Sequence, residues 1–170
     1  MPADTPLPSR RLTFRRMCES DLDDMARLLG DDVVMAHYPR PRTRDEALAW
    51  IRWNERGYAR DGLGLWILED TAGEFVGDCG LTWQTVDGTE ELEVGYHVLP
   101  QRQGEGLASE AAAACLDFAR GLGKRRVIAI IRPDNRPSRR VAEKIGLRFD
   151  RETVKNDLAV VVYAADLTAG

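Results

Sequence analysis

The stretch LEVGYHVLPQRQGEGLASEAAAACLDFA, Leu92 to Ala119, restricts the folds open to this chain more than any other part of it. Leu92–Val98 alternates along a strand, and Pro100 stops it because proline cannot donate to a ladder. Ser109–Leu122 reads as a helix, with Ala111, Cys115, Phe118 and Ala119 facing inward and Gly121 or Gly123 ending it. Gly104 and Gly106 lie between the two elements. A strand, a glycine turn and a helix start in succession gather backbone N–H groups into an anion site. Glu105 is at home there only if the backbone does the binding and its side chain points to solvent.

The remaining pattern supplies a sheet and more helices. Arg11–Met17 alternates as a strand. Ser20 is placed to cap a helix with Asp23 in the capping box, and Leu22, Met25, Leu28 and Leu29 form its stripe up to Gly30. HYPRPR is a loop. A second helix starts at the Thr43 cap, with Ala47, Leu48, Ile51 and Tyr58 on one side, and ends near Ala59. LGLWILED and EFVGDCGLTWQTV are strands joined by a TAGE hairpin, and DGTE turns the chain into Leu92–Pro100. RRVIAIIR is a buried strand, NRPSRRVAEKIGLRF a helix closed by Gly146, and LAVVVYAADL a last strand. The order is β-α-α-β-β-β-α-β-α-β. Residues 1–9 read as a loose tail and residues 10–170 as one domain.

Charge and cysteine usage narrow the class. The net charge of -4 argues against a dedicated nucleic-acid binder. No apolar run has the length of a membrane span, and MPADTPLPSRR lacks the apolar core of a signal peptide. Cys18, Cys79 and Cys115 form no metal-binding spacing and no disulfide framework. The expectation is a cytoplasmic, reduced protein without metal. Between Asp61 and Gln101 there are nine acids and no Lys or Arg, whereas Arg120–Arg148 carries ten basic residues. Two solvated faces would explain this. So would an anionic ligand at the basic half and a cationic substrate drawn to the acidic half.

Three phosphate ligands compete for the glycine loop. A Walker loop ends in Gly-Lys-Ser/Thr, but Leu107 and Ala108 follow Gly106. A dinucleotide loop needs a third glycine where Ser109 stands, and an acid where the next strand ends at Arg132. The third ligand is coenzyme A. VLPQRQGEGLA resembles the cofactor loop of the GCN5-related N-acetyltransferases, V-x-P and then Gln/Arg-x-x-Gly-x-Gly/Ala, through Val98, Pro100, Gln103, Gly106 and Ala108. A second register, Gln101-x-x-Gly104-x-Gly106, also fits; the first keeps Val98 and Pro100 at the family spacing. NRPSRRVAEKIGLRF resembles the family's other landmark through Asn135, Ser138, Val141, Glu143, Lys144, Ile145 and Gly146. GEFVGDCGL, LEVGYHVLP and RLTFRRMCESDLDDM resemble the RimJ/RimL-type branch, which acetylates ribosomal-protein N-termini.

The resemblance implies an α/β fold with a mixed, mainly antiparallel sheet, splayed between strands four and five and flanked by helices. It implies acetyl-CoA as acetyl donor, with direct attack by a primary amine on the thioester. The amine would belong to a protein N-terminus or a small molecule, and the chain would be a monomer or homodimer with no nucleic-acid or membrane partner. The donor would be held by Tyr96, Val98, Gln103, Gly104, Glu105, Gly106, Leu107, Ala108, Ser109, Asn135, Ser138 and Arg139. Arg102, Arg136, Arg140 and Lys144 are further candidates for its phosphates. Glu93 and His97 share a strand face by period two, with Leu92, Val94, Tyr96 and Val98 on the other. Glu93 is the candidate general base, with His97 and Glu91 in reserve. N–H groups around Tyr96–Val98 would receive the oxyanion. The family commonly has a bulge in this strand, and commonly a tyrosine as acid for the leaving thiolate where this chain has Ala142. Ser138 inherits that role here, although a plain helix cap would also explain Asn135 and Ser138. A non-catalytic acyl-CoA sensor is the alternative, favoured by the missing tyrosine and opposed by Glu93, Asn135 and Ser138.

Overall fold

The computed structural model describes residues 3–168. Its strands are β1 (Leu12–Arg16), β2 (Leu65–Asp70), β3 (Phe75–Val86), β4 (Thr89–Val98), β5 (Arg126–Ile131), β6 (Arg148–Lys155) and β7 (Leu158–Asp166). Its helices are α1 (Leu22–Leu29), α2 (Arg44–Asp61), α3 (Leu107–Gly121) and α4 (Arg136–Lys144). One seven-stranded sheet has the order β1-β2-β3-β4-β5-β7-β6. All neighbours are antiparallel except β4 and β5, which run parallel with a single registered pair, Glu93 and Ile128. The expected splay lies there. The expected bulge in β4 does not occur: its pairing with β3 is unbroken from Gly77–Val98 to Val86–Thr89.

Local chemistry accounts for most boundaries. Thr43 caps α2 with Glu46 completing the capping box, and Gly62 ends the helix in the left-handed region. Asp87 and Gly88 take positive φ in the two-residue turn between β3 and β4, as the twist of a tight hairpin demands. Ser20 is not the cap of α1. A short 3-10 turn, Glu19–Asp21, comes first, and the Asp21 carboxylate accepts the Cys18 N–H at 2.9 Å. α3 starts two residues before the expected Ser109. The expected order had one strand too few: β6 was absent from it because RFDRETVK has no buried residue to reveal a period. Residues 3–9 carry no helix or strand, yet Pro6 is buried and Ser9 Oγ donates to Glu110 at 2.6 Å.

The core fills the sheet's two faces. Trp66 packs edge-on to Phe118 of α3, with ring centroids 5.3 Å apart. Cys79 and Cys115 bury their thiols 3.6 Å apart, and burial pushes the Cys79 pKa up. Arg15, Arg102, Arg126 and Arg151 bridge to Glu69, Asp70, Glu91 and Asp87. Much of the acidic stretch is thus paired within the fold rather than left as a bare negative face.

Candidate active site

The Leu99 N–H donates to the Val76 carbonyl at 2.9 Å, which sets the phase of the β3–β4 ladder. Glu93, Gly95 and His97 exchange hydrogen bonds with β3, while Tyr96 and Val98 direct their N–H groups toward β5. No registered β5 partner meets Tyr96 or Val98. The splay therefore offers a row of backbone donors along one edge of a cleft.

The glycine loop closes one end of that cleft. Gly104 and Gly106 both have φ of 81°, a region costly for residues with a Cβ. The first helical bond of α3 runs from the Glu110 N–H to the Gly106 carbonyl, so the N–H groups of Leu107, Ala108 and Ser109 precede it. A Cβ at Gly106 would sit 3.5 Å from Arg11 Nη2 and 3.9 Å from Lys144 Nζ. Two cations therefore flank a helix start whose glycines keep the backbone bare, a setting that fits a diphosphate. Arg11 is held there by Glu110 at 2.8 Å and by the Glu105 carbonyl at 2.9 Å. The Glu105 side chain points outward and meets Arg102 at 3.1 Å. Gln103 Nε2 donates to the Val98 carbonyl at 3.0 Å, fastening the loop to the end of β4.

α4 enters from the other side. Asn135 caps it, its Oδ1 accepting the Ser138 N–H at 3.2 Å. Tyr96 Oη donates to the Ser138 carbonyl at 2.8 Å and lies 3.0 Å from Ser138 Oγ, so two hydroxyls meet at the first turn. Burial raises the pKa of the Tyr96 phenol and keeps it protonated. Arg139 turns away from the loop: its Nε donates to Tyr163 Oη at 3.0 Å and its Nη1 to the Pro133 carbonyl at 2.8 Å. Arg102 is likewise engaged, by Asp70 at 2.7 Å. Of the basic side chains expected near the phosphates, Lys144 stands at the loop.

On the opposite face of β4, Glu93 is pushed up to about 7 by burial; the Ile130 N–H and the nearby His97 only partly offset this. His97 is buried, with Nδ1 2.7 Å from Asp78 Oδ1 and Nε2 2.8 Å from Tyr38 Oη. Burial would lower its pKa, but the Tyr38 oxygen and the Asp78 carboxylate outweigh that and raise it. As an imidazolium, His97 donates through both nitrogens. Asp78 is fully buried and takes a second hydrogen bond from Trp50 Nε1 at 3.3 Å. His37 lies 3.5 Å from Asp134, so the segment before α2 also touches the β5–α4 loop. Glu91, the other reserve base, is paired with Arg126 at 3.0 Å.

Sequence reading left out Asp78, Tyr38 and Arg11. Asp78 was within reach of it: the Asp87-Gly88 turn sets Val86 opposite Thr89, and counting back places Asp78 opposite His97. Tyr38 and Arg11 come from a loop and from the residue before β1, and no periodicity points to them.

A backbone anion site at a helix start lies beside parallel strands that are joined at one registered pair and parted beyond it, a setting that fits the diphosphate of a coenzyme A thioester. The family model of the acetyltransferase (GNAT) domain matches residues 11–148. The uncharacterized protein YkkB of Bacillus subtilis (strain 168) is 37% identical over 96% of this chain and 96% of its own length. The acetyltransferase (GNAT family) of Bacillus anthracis superposes with a TM-score of 0.79 at 24% identity, covering 95% of this chain and 98% of its own. RimL, the ribosomal L7/L12 alpha-N-protein acetyltransferase solved with coenzyme A, superposes at 0.76 with 19% identity, over 97% and 99% of the two chains. At those identities the two structures speak for the fold. The chain belongs to the GNAT acetyltransferase family and is an acetyl-CoA-dependent acetyltransferase.

Proposed function

We propose that the protein transfers the acetyl group of acetyl-CoA to a primary amine, with Glu93 as base. The observation that carries this reading is the placement of the Glu93 carboxyl on β4 at its one registered pair with β5, beside the splay, where burial raises it to about 7. An amine is mostly protonated at neutral pH, and only its free base attacks a thioester. A carboxylate with a pKa near the working pH accepts that proton efficiently. His97, already cationic beside Asp78, is a poor acceptor and serves instead to fix Tyr38 and Trp50.

The remaining roles follow from placement. The N–H groups of Gly106–Ser109, with Lys144 and Arg11, would hold the diphosphate, and Gln103 would keep the loop against Val98. N–H groups of Tyr96 and Val98 would receive the oxygen that gains charge when the amine adds. Ser138, hydrogen-bonded to Tyr96, would stabilise the departing thiolate in place of the absent tyrosine. The resemblance to the RimJ/RimL-type branch supports a protein N-terminus or a small-molecule amine as acceptor.

Thiol release from acetyl-CoA, followed across pH, tests the assignment. Glu93→Gln should lower turnover about a hundredfold and erase the acidic limb near pH 7. Ser138→Ala should lower turnover while acetyl-CoA affinity in calorimetry stays within about twofold, since the backbone loop does the holding. A loss of only a few-fold at Glu93 with the limb unmoved would assign the base to solvent.

A further inference from the structure

A cavity of about 400 Å³ lies between α2 and β3, lined by Arg42, Glu46, Ala49, Trp50, Trp53 and Gln84. It opens on the face of the sheet that carries Glu93. Gln84 Nε2 donates to Thr82 Oγ1 at 3.2 Å, and Thr82 is the cross-strand partner of Glu93. The cavity and the Glu93 carboxyl are thus neighbours across one strand.

Its walls select a shape. The Trp50 and Trp53 rings pack against each other, 5.8 Å apart at 47°, and together make one aromatic wall of the cavity. Trp50 is held by its bond to Asp78 and by an edge contact with His97 at 5.9 Å. Such a wall takes a flat aromatic group against its outer face by offset or edge stacking.

Its polar groups select a charge. Arg42 Nε is buried without an acceptor. Glu46 does not supply one: both of its oxygens are taken by Arg40 at 2.6 and 2.9 Å, one also accepts the Thr43 N–H at 2.9 Å, and its nearest approach to Arg42 is 3.8 Å. The Arg42 side chain as a whole is 38% exposed at the cavity wall, and a ligand carboxylate or carbonyl there would give it a closer partner than Glu46 does.

We infer that the acceptor amine carries both a planar aromatic group for the Trp50–Trp53 wall and a carboxylate or carbonyl oxygen for Arg42. That chemistry belongs to an aromatic amino acid, free or at the head of a peptide. The inference rests on the acetyl-transfer reading and narrows it.

The test is a set of acceptors assayed by thiol release: L-tryptophan, L-phenylalanine, tryptamine, L-alanine, spermidine and the tripeptide Phe-Gly-Gly. Either aromatic amino acid or the tripeptide should exceed L-alanine and spermidine in kcat/KM by at least tenfold. The ratio of L-phenylalanine to the tripeptide tells free acid from peptide. Arg42→Gln should lower kcat/KM for L-tryptophan at least tenfold more than for tryptamine, which lacks the carboxylate. Trp53→Leu should lower both, with the melting temperature of each variant confirming the fold. Spermidine or L-alanine matching the aromatic acceptors, or Arg42→Gln affecting L-tryptophan and tryptamine equally, overturns the inference and leaves acetyl transfer standing. No thiol release with any amine, in a protein that binds acetyl-CoA by calorimetry, overturns both.

Discussion

The two sides of β4 are built from different materials. Toward α3 and α4 the site is mostly backbone: two left-handed glycines, a helix start and the donors freed where β5 departs. Toward α2 it is side chains: Tyr38, Trp50, Asp78, Glu93 and His97, drawn from one loop, one helix and two strands. A backbone site needs residue types that permit a conformation, and those are local in sequence. A side-chain site needs residues that meet only after folding. The contrast explains why one side can be recognised from a local motif while the other cannot.

The contrast can be broken most forcefully at His97. His97→Gln leaves Asp78 buried without its cation, a loss expected to cost about 3–5 kcal/mol. The raised His97 pKa gives stability that is fully present below about 6.5 and is lost as pH climbs through the raised value. The cost, read from urea unfolding, should therefore shrink toward alkaline pH. Adding Asp78→Asn should recover part of it, and strict additivity would show that the two side chains do not form a unit.

On the backbone side, Gly106→Glu places a Cβ and a carboxylate where the helix start faces Arg11 and Lys144. Acetyl-CoA affinity should fall about a hundredfold or more, against a strain of about 1–2 kcal/mol in stability. Calorimetry showing unchanged affinity in the folded variant would remove the loop from the site.

Glu93 joins the two sides, and its cost to folding is measurable apart from catalysis. The unfolded carboxyl ionises near 4.5 and the folded one near 7, so stability falls as pH rises between these values and stays lower above them. Glu93→Gln should be about 3 kcal/mol more stable than the parent at pH 8 and equal to it at pH 4. Equal stability at both values would place the carboxyl in water.

The smallest effect belongs to Arg139. Arg139→Ala should leave acetyl-CoA affinity within about twofold and lower the melting temperature only slightly through its lost bonds to Tyr163 and Pro133. A tenfold loss of affinity would return Arg139 to the phosphates and make the donor side less purely backbone.

The same division sets what the sequence discloses. The Thr43 cap, the DGTE turn and the glycine loop are local rules, and the fold obeys them, while the second helix runs past the expected Ala59 to Asp61, where Gly62 stops it. β6 escapes because all eight of its residues lie in exposed or half-exposed positions at the sheet's edge, where nothing enforces alternation. Ser20 misleads because Asp21, tied to Arg15 at 2.7 Å, draws the helix start back to Cys18. In the site, the strand face of Glu93 and His97 follows from period two, but the charge of His97 does not. It depends on Asp78 from the neighbouring strand and Tyr38 from a distant loop.

The single registered pair between β4 and β5 also orders the assembly of the molecule in time. β2–β3, β3–β4 and β6–β7 are hairpins whose partners are near in sequence, and their loops close at low entropic cost. Joining the two parts of the sheet requires the whole of α3 to be in place, a long-range step of the kind that slows folding. We therefore expect the cleft to form late in folding and to open early. In native-state hydrogen exchange, the amides of Tyr96 and Val98 should exchange far sooner than those of Leu81 or Val162, deep within either part of the sheet.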